Sequence, residues 1–123
     1  MQLHGDVHVR LADGSTLEAK HVQTGDSLAT ADGGTITVTE VIKTMVSHPH
    51  FITALGHQLR ALAGTSVLRA RRFVPLDTLD AVLVEEEPAP VAVYGIYSRW
   101  CKFARVPAIE CGGLHVRIHE APA

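Results

Sequence analysis

The stretch Leu17-Glu18-Ala19-Lys20-His21-Val22-Gln23-Thr24-Gly25-Asp26-Ser27-Leu28 returns later in the chain as Leu68-Arg69-Ala70-Arg71-Arg72-Phe73-Val74-Pro75-Leu76-Asp77-Thr78-Leu79. Leu, Ala, a basic pair, an apolar residue, Asp and Leu recur in register. Each copy predicts a strand with Leu and Ala on one face, a turn closed by Asp, and a return into apolar sequence. Two copies at a period of about fifty residues are too few for a solenoid, so the expectation is a duplicated β unit folded about a pseudo-two-fold axis. The equivalent acids Asp26 and Asp77 are then expected to accept backbone N–H bonds in turns rather than to do chemistry.

A chain of 123 residues, 46% hydrophobic and 20% charged, is expected to form one domain over residues 1–123 with one core. Its formal charge of −2 gives no general attraction to nucleic acid or to an anionic membrane, so neither is an expected partner. Cys101 and Cys111 are too few for a disulfide scaffold and are not spaced as metal ligands, although one bridge between them is open. No apolar run approaches a membrane span, and Met1-Gln2-Leu3-His4-Gly5-Asp6 lacks the regions of a signal peptide, which predicts a soluble protein.

Read in order, the chain alternates short extended segments with turn residues. Val7, Val9 and Leu11 alternate with His8 and Arg10 ahead of Ala12-Asp13-Gly14-Ser15, which predicts a hairpin within residues 1–20. Thr35 to Ile42 is dense in β-branched residues and reads as one continuous strand. Pro49 breaks the extended structure, which resumes at Phe51, and Gln58 to Leu62 reads as a strand or one helical turn. Ala81 to Val84 and Val91 to Ile96 are further strands, separated by an acidic, proline-rich surface loop over residues 85–90. Leu114 to His119 alternates as a last strand, placing His115 and His119 on one face. Many short strands joined by Gly/Asp turns make an all-β domain.

These residues resemble a known family. Leu3-His4-Gly5-Asp6, Val9-Arg10-Leu11-Ala12-Asp13-Gly14 and Val22-Gln23-Thr24-Gly25-Asp26-Ser27-Leu28 are similar to the opening of Hint domains, the autoprocessing modules of hedgehog proteins and inteins. Val41-Ile42-Lys43-Thr44 resembles the subgroup joined to von Willebrand factor A domains. The resemblance implies a compact all-β horseshoe with an internal duplication. It implies an N-to-S or N-to-O acyl shift, in which a side chain at the first residue attacks the preceding carbonyl, leading to protein cleavage or splicing. The partners are then flanking polypeptide segments in cis, and no cofactor is expected.

In the family a threonine and a histidine assist that step, and Thr53 and His57 are the nearest match; His115 or His119 would be the assisting histidine near the C-terminus. The position of the nucleophile is Gln2, which has neither thiol nor hydroxyl, and Met1 leaves almost no upstream segment to release. Where an intein ends in His-Asn, this chain reads His119-Glu120, and glutamate does not cyclise efficiently. The expectation is therefore a Hint-type domain inactive as it stands, against the rival of a protein-interaction module that keeps the Hint fold without catalysis.

Other clusters have plainer readings. His48 and His50 share a face if extended, but Pro49 and the lack of a neighbouring carboxylate favour a loop pair over a metal site. Arg69-Ala70-Arg71-Arg72 reads as the exposed side of a strand rather than a phosphate contact.

Overall fold

The computed structural model describes residues 1–79, 82–87 and 89–122. Period-two alternation and Gly-containing turns give β1 (Gln2–His4), β2 (His8–Arg10), β3 (Thr16–Glu18), β4 (Ser27–Ala29), β5 (Thr35–Thr37), β6 (Glu40–Val46) and β7 (His50–Ala54). They continue with β8 (Arg60–Leu62), β9 (Ser66–Arg69), β10 (Arg72–Pro75), β11 (Val82–Glu86), β12 (Val91–Tyr97), β13 (Ala108–Cys111) and β14 (Leu114–Arg117). Single 3-10 turns lie at Ala19–His21, Leu76–Thr78 and Cys101–Phe103, and no α-helix is present among the described residues. The chain is all-β, as its sequence indicates.

Two six-stranded sheets are ordered β11-β7-β8-β1-β12-β6 and β10-β9-β14-β13-β2-β3, with β4 and β5 as a separate ribbon. One side of each sheet turns inward: Leu3, Val9, Leu28, Ile96, Ile109 and Val116, drawn from both sheets and the ribbon, are at most 1% exposed and belong to one core. Each such side chain contributes about 1.5–3 kcal/mol relative to exposure. Because β1 is central, residues at the start of the chain are fixed between β8 and β12.

Several expectations are corrected. Thr35 to Ile42 is not one strand: the N–H of Val38 donates to Asp26 O and that of Thr39 to Tyr97 O, which turns the backbone away between β5 and β6. The hairpin within residues 1–20 is β2–β3 alone, since β1 belongs to the other sheet. The acidic loop starts later than residue 85, because Glu85 and Glu86 pair with Phe51 and His50 as the end of β11; Pro88 and Ala81 lie outside the described residues. Gln58 to Leu62 contains a strand, β8, and not a helical turn.

The two copies of the sequence echo also take different local structures. Ala70 and Arg71 form the tip of the β9–β10 hairpin, both with positive φ, of 50° and 67°. Their counterparts in the first copy, Ala19 and Lys20, begin a 3-10 turn. The β2–β3 hairpin is followed by the 3-10 turn Ala19–His21, and the β9–β10 hairpin by the 3-10 turn Leu76–Thr78. Asp26 accepts the Gln23 N–H at 2.8 Å as a turn residue should, whereas Asp77 sits inside its 3-10 turn.

Candidate active site

Strand β1 positions the first candidate. Leu3 is fully buried, so alternation sends Gln2 and His4 to the other face. Gln2 pairs with Gly95 of β12, and the Tyr97 ring lies across that glycine, where a Cβ would stand 2.7 Å from a ring carbon and 2.8 Å from the hydroxyl. A parallel bridge joins Tyr97 to His119, and Ser98 N–H donates to His119 O at 3.1 Å. The third wall comes from the turn after β8. There Thr65, only 4% exposed, donates its N–H to Leu62 O and accepts from Leu76 N–H at 2.8 Å. Met1, Gln2, Ala63, Gly64, Thr65, Tyr97 and His119 together line one cleft of about 330 Å³.

The cleft disfavours positive charge. Burial, opposed by the nearby thiols of Cys111 and Cys101, lowers the Met1 amine to about 6. Burial, then the amine and Arg117, lower the pKa of His119, so its imidazole is neutral at neutral pH. A neutral imidazole can accept a proton. Cys111 packs its sulfur 4.0 Å from that of Met1, and burial pushes its thiol up to about 12, which leaves it unreactive. Cys101 and Cys111 are both free, so no bridge joins them. Cys101 lines the neighbouring cavity beside His119 and Glu120, and burial raises its pKa as well.

Thr53 and His57 are elsewhere. Strand β8 runs antiparallel to β1 with Ala61 opposite Leu3, so the Arg60 end of β8 lies beside His4 and its Leu62 end beside Gln2. Thr53 pairs with Arg60, which puts it at the His4 end, in a cleft with His4, Asp6 and Arg60. His57 is exposed in the turn after β7, with Nδ1 3.3 Å from where a Cβ of Gly113 would stand. His115 is on β14 opposite Glu110, exposed on the outer face. His119 lies beyond the end of β14, so the two histidines are not on one strand face. Of the five candidates, Gln2 and His119 are brought together; Thr53, His57 and His115 are not brought to them.

Thr65 and Tyr97 were not singled out by sequence. No sequence signal marks Gly64-Thr65-Ser66, and only the β1–β8 pairing brings it to Gln2. His48 Nδ1 and His50 Nε2 stand 3.5 Å and 3.9 Å from the two oxygens of Glu86, so the carboxylate that the local sequence lacks comes from β11. No group of three His, Cys, Asp or Glu among the described residues is arranged to hold a metal ion.

No family model and no curated protein matches this chain. Solved structures do. A DnaB intein from Synechocystis sp. PCC 6803 is 15% identical with a TM-score of 0.69 over 95% of this chain and 97% of that one. A bacterial intein-like domain from Clostridium thermocellum is 14% identical with a TM-score of 0.67, over 95% and 97%. A TvoVMA intein is 16% identical with a TM-score of 0.64, over 94% and 95%. At such identities the likeness is one of fold: this chain has the intein-like Hint fold.

Proposed function

We propose that this chain is a Hint-type self-processing domain whose acyl-shift site is the cleft of Gln2, Thr65, Tyr97 and His119. One observation carries the reading: Gln2 and His119, from opposite ends of the sequence, line one cleft together with the buried residue Thr65. The intein-like fold supports it, and the internal duplication and a kinship with the von Willebrand factor A subgroup belong to the same reading. His119, whose imidazole is neutral at neutral pH although the residue is exposed at the cleft, accepts the proton of a nucleophile at position 2. Thr65 and Tyr97 offer hydroxyl donors to the carbonyl oxygen or to the leaving nitrogen.

Gln2 supplies no nucleophile, so the shift cannot begin at that side chain. With Gln2→Cys behind a fused upstream segment, the sulfur bonds to the carbonyl carbon of the preceding residue and the C–N bond breaks. The thiol proton ends on the freed amine. Glu120 in place of a cyclising residue makes the outcome cleavage rather than splicing. The experiment is thiol-induced release of the fused segment, read by mass spectrometry. Release from Gln2→Cys and none from the parent sequence is the expected result; a folded Gln2→Cys protein that releases nothing removes the reading in favour of a non-catalytic module.

A further inference from the structure

Two large aromatic side chains stand out of the surface together. Trp100 is 46% exposed and Phe103 71%, with ring centroids 6.2 Å apart. The 3-10 turn Cys101–Phe103 places them so, because residues three apart in such a turn lie side by side, and Phe103 N–H donates to Trp100 O at 3.0 Å. Its inner side is occupied: Cys101 is buried and Ala104 packs on the core. The aromatics therefore have no inward place to fold into.

Cations surround them. The Arg99 guanidinium lies 4.5 Å from the Trp100 ring and the Lys102 ammonium 5.1 Å from that of Phe103, with Arg105 exposed just beyond. Residues 99 to 105 include no acid. Among the described residues, Lys102 meets Glu120 at 3.7 Å, while Arg99 and Arg105 have no carboxylate in ion-pair contact. Arg105 is close enough to Asp32 to lower its pKa slightly, as the last of several causes.

We propose that the segment from Arg99 to Arg105 is a peripheral anchor for anionic phospholipid, with the Trp100 and Phe103 rings at headgroup depth and Arg99, Lys102 and Arg105 on the phosphates. Tryptophan favours this depth, with an apolar body and a polar N–H, and long cationic stems reach from it to phosphate. The overall charge of −2 does not oppose this, because fields fade over a Debye length of about 8 Å and a surface responds to the local charges. Single-stranded nucleic acid fits less well: it is tracked by a positively charged groove with successive stacking rings, whereas this segment is a single 3-10 turn with two adjacent rings. Two aromatics and three cations make a weak, reversible anchor. The inference is independent of the self-processing reading.

Trp100 is the single tryptophan, so the chain carries its own reporter. Phosphatidylcholine vesicles with about one third phosphatidylserine should shift its emission to shorter wavelength and sediment the protein at low salt, and both effects should fade as salt is added. Phe103→Ser, and separately Arg99→Ser with Arg105→Ser, should weaken binding at least about tenfold at unchanged circular dichroism, whereas Met45→Ser on β6 should not. The proposal is overturned by absence of a shift with phosphatidylserine vesicles. Equal binding to pure phosphatidylcholine also overturns it, as does an oligonucleotide that shifts the emission where vesicles do not.

Discussion

The ring of Tyr97 occupies the space above Gly95 that any side chain at that position would need, with a Cβ there 2.7 Å from the ring. Because Gly95 is the partner of Gln2 and Tyr97 the partner of His119, this one contact joins the two ends of the chain at the cleft. Gly95→Ala should therefore displace Tyr97 and cost about 1–3 kcal/mol, the usual range for overpacking. Urea unfolding measures it. Tyr97→Leu on the Gly95→Ala background should recover part of the loss, and simple additivity of the two changes would show that the ring and the glycine are not coupled.

Gly112 is held more tightly, by backbone. Its φ is +57°, and a Cβ would stand 2.2 Å from the Gln58 carbonyl oxygen, while Gln58 N–H donates to Gly112 O at 2.8 Å. No rotamer change relieves that contact. Gly112→Ala should cost at least about 3 kcal/mol, more than Gly95→Ala, because a flexible neighbour is absent. Equal denaturation midpoints for the two variants would contradict this ranking.

The fold class was legible because it rests on local chemistry: alternation in residues such as Val7 to Leu11, and turns such as Ala12-Asp13-Gly14-Ser15. The break at Val38–Thr39 was not, since it is made by acceptors on Asp26 and Tyr97, distant in sequence. The sequence echo pairs Ala19 with Ala70, but Ala19 starts a 3-10 turn while Ala70 is at a hairpin tip, a difference that residue identity alone does not show. The two residues that do begin 3-10 turns, Ala19 and Leu76, share little beyond being apolar. In the cleft, Gln2 and His119 were reached through family resemblance. Thr65 needed the β1–β8 register, and nothing local to Gly64-Thr65-Ser66 signals it.

Acid should destabilise the protein in a defined window. For protein beginning at Met1, the amine titrates near 8 when unfolded and at about 6 when folded, so the unfolded state binds more protons between these values. Its contribution is complete above pH 8 and is lost as pH falls toward 6, by up to about 2 kcal/mol. His119 and His4, both lowered chiefly by burial, extend the loss below their ordinary value near 6.5. The lowered carboxylates of Asp6, Asp13 and Asp32 act only at lower pH, below their ordinary value of 3.8. Denaturant midpoints at pH 8 and pH 6 should differ, and acetylation of the amine should remove most of the difference; a midpoint indifferent to acetylation would mean that the amine is solvated.

The two clefts make opposite forecasts for self-processing. In the fused Gln2→Cys protein, His119→Ala should slow release about 100-fold or more, the usual weight of a general acid–base group. Thr65→Val should slow it about tenfold or more if its hydroxyl donates to the developing charge. Thr53→Val and His57→Ala should leave the rate unchanged, because those residues lie at the His4 end of β1 and in an exposed turn. Burial is the leading cause of the lowered His119 pKa and persists when a fused segment removes the free amine. The rate should accordingly rise with pH to a plateau, with its inflection below 6.5, and His119→Ala should abolish that inflection. Mass spectrometry of the released segment across pH measures all four variants; a rate that depends on His57 and ignores His119 would move the chemistry away from the Gln2 cleft.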